Sequence, residues 1–304
     1  MISEPHTQHA ADRNSGSLGA NDPEFTAIRA VPTILGPIHV DDRGYANQPV
    51  ALLWPSLFTD HRLWNAPVAG LRAAGWRTLA LDPPGHGASP GPGRAFTMDE
   101  CAEAALQVLD VVGVRTPVVV LGTSWGGFVA PRIALRAPER VRGLILFNTS
   151  ADRPTLFERV KSSLLTKLMA IKMIEGPVDR MLAATMLAAT TRRDQPQLGR
   201  DLARRLRTWS RRDVITTVRS VLVTREAVLD QLSDIAVPTL VVCGAEDHLL
   251  PPSHSHRIVA EIATSKLVEV ASAAHLVPLE HPERATELVV DFVSQWPRTP
   301  YAMS

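Results

Sequence analysis

The sequence predicts an α/β protein: a mostly parallel, eight-stranded sheet flanked by helices and interrupted once by an all-helical insertion. Three observations carry this reading. Short β-rich runs, most of them continuously apolar, recur at 50–53, 78–81, 118–121, 144–147, 239–242 and 266–270, as strands buried on both faces do. Helical patterns lie between them, and such alternation implies parallel strands joined by right-handed crossovers. Residues 153–232 break the alternation with consecutive helical patterns and no clear strand.

The elements follow in order. Residues 1–24 are polar and rich in Ser, Asn, Asp and Gly, which predicts a disordered arm. The sheet domain then comprises 25–152 and 233–304, and the insertion at 153–232 is a cap. Runs at 30–34 and 37–40, followed by a turn at Asp42-Arg43-Gly44, read as an antiparallel edge hairpin. Thr97 and Glu100 form a capping box before a helix that reaches about Val112. A helix follows Ser124 and ends before Pro138, with Pro131 inside it, where the missing N–H predicts a lost backbone bond or a kink. A last helix begins near Pro282 and buries Leu288, Val289, Phe292 and Val293 at helical spacing.

Composition narrows the function. The chain has 304 residues, 45% of them hydrophobic, with 32 basic against 31 acidic side chains. Nothing in that balance points to nucleic acid or to a membrane surface. Cys101 and Cys243 fit no metal or redox spacing and read as buried apolar residues. The sequence has no apolar signal core and no run near the ~18 apolar residues of a membrane span, so a cytoplasmic location is expected. No metal or organic cofactor is implied, and the oligomeric state is not set by the sequence. The insertion holds sixteen Lys and Arg against eight Asp and Glu, an excess read as a solvated outer face that could instead draw anionic substrates. It also holds Met169, Met173, Met181, Met186 and Trp209. These either pack the cap on the sheet or line an adaptable apolar pocket.

The chemistry concentrates at strand ends. Gly122-Thr123-Ser124-Trp125-Gly126 follows a strand and opens a helix, the context in which G-x-S-x-G makes a nucleophile elbow rather than a glycine-rich turn with a capping serine. Ser124 is therefore the candidate nucleophile. His275, in the short loop after the last strand, is the candidate general base. Asp247, after the preceding strand, is the candidate acid, with Glu246 beside it as the alternative. The acid would fix the imidazole tautomer and stabilise the imidazolium. The oxyanion donors would be the backbone N–H of Trp125 and of Leu57, in the loop after 50–53. Phe58, Leu276 and the Trp125 indole are expected to line the substrate pocket. The loop from Asp82 to Ser89 reads as architectural, with tight glycine turns and polar side chains that satisfy buried backbone.

Together these motifs resemble the α/β-hydrolase fold from about Pro49 to Trp296: the elbow at Ser124, the D-x-x-G-H-G-x-S loop from Asp82, the acid loop from Gly244 to Asp247, and His275. Pro138-Glu139-Arg140-Val141 and Pro282-Glu283-Arg284 add to the resemblance. Ser56-Leu57-Phe58-Thr59-Asp60 with Trp64, and Ala274-His275-Leu276 before Glu280-His281-Pro282-Glu283, are similar to 3-oxoadipate enol-lactonases. Pro55, where many relatives have histidine, and Trp125, in place of the common methionine, depart from the pattern. The resemblance implies a small-molecule ester or lactone cleaved through an acyl-enzyme. Carbon–carbon bond hydrolysis, a cofactor-free haloperoxidase or perhydrolase activity, and a ligand-binding protein on the same scaffold are the alternatives.

Overall fold

The computed structural model describes residues 24–172 and 175–296. The arm expected at 1–24 lies outside them except for Glu24, which opens the first strand. Eight strands form one sheet: β1 (Glu24–Thr33), β2 (Gly36–Tyr45), β3 (Val50–Trp54), β4 (Arg77–Asp82), β5 (Val118–Thr123), β6 (Val141–Phe147), β7 (Thr239–Gly244) and β8 (Ser265–Val270). Their order is β1-β2-β4-β3-β5-β6-β7-β8. β1 and β2 pair antiparallel, β2 joins β4 antiparallel, and every later pairing is parallel. β3, β4, β5 and β7 are buried along their whole length, so their central residues are mostly apolar rather than alternating.

The antiparallel edge hairpin forms as expected, but its second strand runs on through the residues expected to turn. The reversal is at Ile34-Leu35, where Gly36 takes φ +89° and Thr33 Oγ1 donates to the Gly36 carbonyl at 2.7 Å. Asp42, Arg43 and Gly44 lie inside β2. Asp42 is fully buried and takes a bidentate pair from Arg77 (Nε 2.9 Å, Nη2 2.8 Å). A polar triplet that reads as a turn is thus a strand segment carrying a buried ion pair. Gly44 serves close approach: a Cβ there would lie 2.7 Å from the Arg77 Cα.

The helices between strands are α1 (Asn65–Ala73), α2 (Met98–Val111) and α3 (Trp125–Arg136). The Thr97–Glu100 capping box starts α2. α3 continues through Pro131, so the proline removes one ladder donor without ending the helix. Between β6 and β7 stand α4 (Leu156–Met169), α5 (Glu175–Thr185), α6 (Ala189–Asp194), α7 (Pro196–Leu206) and α8 (Arg211–Val218), followed by a π-helical turn at Arg219–Val223. No strand occurs among the described residues of this stretch. α9 (Pro252–Glu261), the short α10 (Val277–Glu280) and α11 (Pro282–Val293) complete the chain, and α11 buries Leu288, Val289 and Val293. No helix of the described residues is long and apolar enough to cross a membrane.

Candidate active site

Every candidate catalytic side chain sits where a parallel strand ends. Ser124 follows β5 at φ +52°, a left-handed conformation that costs a non-glycine residue energy. Its neighbours must be small for that turn to exist. A Cβ on Gly122 would meet the Gly126 carbonyl carbon at 2.2 Å, and one on Gly126 would meet the Trp54 oxygen at 1.9 Å. The Ser124 N–H donates to the Phe147 carbonyl of the adjacent β6 (2.9 Å). Its side chain makes no capping hydrogen bond to α3, which removes the capping-serine reading. Among the described residues Ser124 Oγ has no hydrogen-bond partner.

Asp247 follows β7 and His275 follows β8. His275 Nδ1 lies 2.8 Å from Asp247 Oδ2, and both residues are buried. Asp247 Oδ2 also accepts from Asn148 Nδ2 (3.0 Å), while Oδ1 accepts the N–H groups of Leu249 (2.9 Å) and Leu250 (3.0 Å). Burial alone would raise this carboxyl. The charge and hydrogen bond of His275, with the donors from Leu250 and Asn148, outweigh it and hold Asp247 below its usual range. Glu246, the alternative acid, is half-buried, and its backbone N–H donates to Ala273. It is Asp247 that faces the imidazole.

The two loops that carry the oxyanion candidates are joined. The Gly126 N–H donates to the Pro55 carbonyl (3.2 Å), which draws the loop after β3 onto the elbow. Trp125 is the first residue of α3, where N–H groups have no intrahelical acceptor. Leu57 lines the same cavity as Ser124. The next residue, Phe58, is held at φ +65°, and its N–H donates to His86 Nε2 at 3.0 Å. His86 Nδ1 lies 3.2 Å from the Pro84 carbonyl, which fixes the proton on that nitrogen. Burial pushes the His86 imidazole down to about 4, so it is neutral and can accept. The D-x-x-G-H-G-x-S loop is thus architectural in a specific way: it braces the loop after β3.

A cavity of about 330 Å³ opens over these groups, and Ser124, His275, Leu57 and Phe58 all reach it. Its roof comes from the helical insertion, including Leu165, Leu182 and Met186. Two expected pocket residues lie elsewhere. Trp125 is fully buried, its indole edge-on to Trp54 (5.6 Å) and stacked near Phe96 (5.9 Å). Leu276 is also fully buried, and its N–H donates to Glu280 Oε1. Both point into the core because the turns that present Ser124 and His275 turn the next side chain inward. Of the five insertion residues singled out, Met181 and Met186 line the cavity and Met169 is buried. Trp209 packs on His86 at 4.8 Å, and Met173 lies outside the described residues.

Three supporting groups were not assigned from the sequence. Asn148, buried at φ +46° after β6, donates to both Asp247 and the Ala274 carbonyl (2.8 Å). Glu280 is buried and clasps the histidine loop through the N–H groups of Ala274 (2.9 Å) and Leu276 (3.2 Å). Its other oxygen takes the Ala188 N–H (2.6 Å) and Thr191 Oγ1 (2.8 Å) of the insertion. Arg225 lines the cavity. A separate cluster, Asp60, His61 and Asp82, brings ligand-type atoms within 4.8 Å of one another. Protein donors already occupy it, since Arg62 Nε binds Asp60 (2.9 Å) and His61 Nδ1 meets Asp82 (2.7 Å).

A parallel sheet with an elbow serine, a buried aspartate–histidine pair and a helical roof defines a hydrolase scaffold. The chain belongs to the alpha/beta hydrolase fold family, whose model matches residues 49–282. It is 30% identical over 268 residues to a 2-hydroxy-6-oxononadienedioate/2-hydroxy-6-oxononatrienedioate hydrolase of Cupriavidus pinatubonensis, covering 84% of this chain and 90% of the relative. It is 29% identical over 229 residues to a pimeloyl-[acyl-carrier protein] methyl ester esterase of Yersinia enterocolitica, covering 72% and 84%. Among solved structures it resembles the enol-lactonase from Burkholderia xenovorans LB400, with a TM-score of 0.77 over 85% of this chain and 96% of that one at 22% identity. That last likeness is one of fold. The relatives make this chain a hydrolase.

Proposed function

We propose that this protein hydrolyses a small-molecule carboxylic ester or lactone through an acyl-enzyme on Ser124. The observation that carries the reading is that Ser124 and His275 line one cavity, with Asp247 hydrogen-bonded to His275 behind it. His275 Nδ1 is engaged by Asp247, so Nε2 is the nitrogen left to take the Ser124 proton. Ser124 Oγ attacks the carbonyl carbon, and the N–H groups of Leu57 and Trp125 receive the oxyanion. Protonated His275 gives its proton to the leaving oxygen as that bond breaks. Water then attacks the acyl carbon as His275 takes its proton, and His275 passes that proton to Ser124 Oγ as the acyl–oxygen bond breaks and the acid leaves. The methyl ester esterase among the relatives supports an ester substrate.

A second reading has its own support. The Cupriavidus relative is named for a dienedioate, a compound without an ester link, so water can divide it only at a carbon–carbon bond. The same serine, histidine and aspartate serve that chemistry. Turnover of p-nitrophenyl butyrate separates the cases. Wild type should release p-nitrophenolate, and Ser124→Ala should lose on the order of 10⁶ in kcat while keeping its melting temperature. Ester turnover that persists in Ser124→Ala excludes Ser124 as nucleophile. No turnover of any ester, with cleavage of a 2-hydroxy-6-oxo dienoate, favours the carbon–carbon reading.

A further inference from the structure

One charged group in the cavity wall plays no part in the steps above. Arg225 is 9% exposed, yet it lines the cavity with Ser124. Its guanidinium lies 3.7 Å above the centre of the Phe128 ring. Nε and Nη2 both donate to the Asp152 carbonyl (3.2 and 2.9 Å). Among the described residues Nη1 has no acceptor, and no carboxylate pairs with the guanidinium. A carbonyl satisfies donors but does not neutralise charge. A cation taken out of water without a counter-ion is costly, so a chain that keeps one against a cavity leaves the counter-ion to a ligand.

Two carboxylates, Asp152 and Glu158, line the same cavity within electrostatic reach of Arg225, but neither pairs with its guanidinium and each already accepts from other donors. Asp152 Oδ2 binds Arg257 Nη2 (2.6 Å) and His254 Nδ1 (3.0 Å). Glu158 Oε2 closes the capping box of α4 on the Thr155 N–H (2.7 Å) and hydroxyl (2.8 Å). Two more cations, Arg153 and Lys161, line the cavity at its exposed edge, and neither has an ion partner among the described residues. Burial, then the nearby Arg132, draw the Arg225 pKa down to about 10, which leaves it charged at neutral pH. Position is also defined. Phe128 lies one helical turn beyond Ser124 and donates its N–H to the Ser124 carbonyl (3.0 Å). Arg225 therefore lies on a ring whose own residue is one helical turn, ~5.4 Å of rise, along α3 from the nucleophile.

We propose that Arg225, aided by Arg153 and Lys161, forms an anion subsite, so that the substrate carries a carboxylate on the part remote from the carbonyl attacked by Ser124. This rests on the acyl-transfer reading for its position, but binding of the anion does not. The planar fork of Arg225 suits a carboxylate, and Phe128 supplies an apolar shelf for the methylenes between the two groups.

The test compares mono-p-nitrophenyl esters of succinate, glutarate and adipate with p-nitrophenyl butyrate at low salt. Wild type should favour the best carboxylated ester by at least tenfold in kcat/KM. In Arg225→Gln that preference ratio should fall at least tenfold, and Arg225→Lys should restore part of it. A ratio unchanged in Arg225→Gln, or no preference in wild type, overturns the proposal and leaves Arg225 as an anchor for the Asp152 carbonyl. If Arg225→Gln does not fold, the exposed pair Arg153→Gln/Lys161→Gln should lower the ratio by at least threefold, and no change there counts against the subsite. Calorimetry of glutarate with Ser124→Ala reads the subsite without catalysis. Saturable binding, weakened at least tenfold by adding Arg225→Gln, supports the subsite even if no ester is cleaved. Absence of binding refutes it.

Discussion

Asp247 commits both oxygens to four donors, and only one of them is the histidine. The other three fix the carboxylate so that the imidazole has one orientation. Asp247→Asn should keep the fold but lower turnover by about 10⁴, since the amide no longer enforces the tautomer. Glu246→Gln should stay within threefold; the reverse pattern in steady-state assays would make Glu246 the acid. His86 acts at one remove, through the Phe58 N–H. The unfolded chain binds a proton near the usual imidazole value of 6.5, whereas the buried ring does so only near 4. Stability is therefore full above pH 6.5 and declines as pH falls towards 4, by on the order of 3 kcal/mol. His86→Gln can still accept from Phe58 but does not titrate. Denaturant unfolding at pH 7, 5.5 and 4.5 should show a shallower loss in that variant, with kcat reduced severalfold at pH 7. An identical pH slope would mean that His86 does not carry the effect. Ser124, Asp247 and His275 were legible because each occupies a motif at a strand end. Asn148 was not, because a single asparagine after a strand has no distinguishing spacing. The Trp125 indole was misplaced for a related reason: its N–H is set by the elbow, but its side-chain direction is set by Trp54 and Phe96 across the core.

Among elements, the short α10 joins the His275 loop to the insertion. Glu280 at its end receives two N–H donors flanking His275 and two donors from the start and body of α6. The His275 N–H in turn donates to the Met186 carbonyl (3.2 Å). The roof of the cavity and the base of the site are therefore hydrogen-bonded to each other. Glu280→Gln replaces one acceptor by an NH₂ group that faces backbone donors. It should cost about 1–3 kcal/mol in denaturant unfolding and lower kcat. A variant with wild-type stability and wild-type kcat would show that the clasp has no mechanical role. The insertion was readable as helical from its apolar spacing and lack of strand runs. Its attachment was not readable, since it depends on contacts between residues about ninety positions apart. The turn expected after the edge hairpin failed for a different reason. Asp-Arg-Gly has turn composition, and only the distant partner Arg77 makes it a strand.

At the scale of the whole molecule, strand order converts sequence position into proximity. β5, β6, β7 and β8 are consecutive neighbours in the sheet, so the residues after their carboxyl ends, Ser124, Asn148, Asp247 and His275, converge although they span half the chain. Apolar runs and their alternation with helices sufficed to read this architecture, because parallel strands buried on both faces leave that pattern. The shape and charge of the cavity were beyond such reading, since side chains from seven separate segments meet there. The central claim is that Ser124 is the activated nucleophile of this assembly. Labelling with a fluorophosphonate, followed by peptide mass spectrometry, tests it most directly, because the probe reports activation without needing the natural substrate. The expected result is one adduct, on Ser124, lost in Ser124→Ala and strongly slowed in His275→Ala. An adduct on another serine, or labelling unaffected by His275→Ala, would contradict the account.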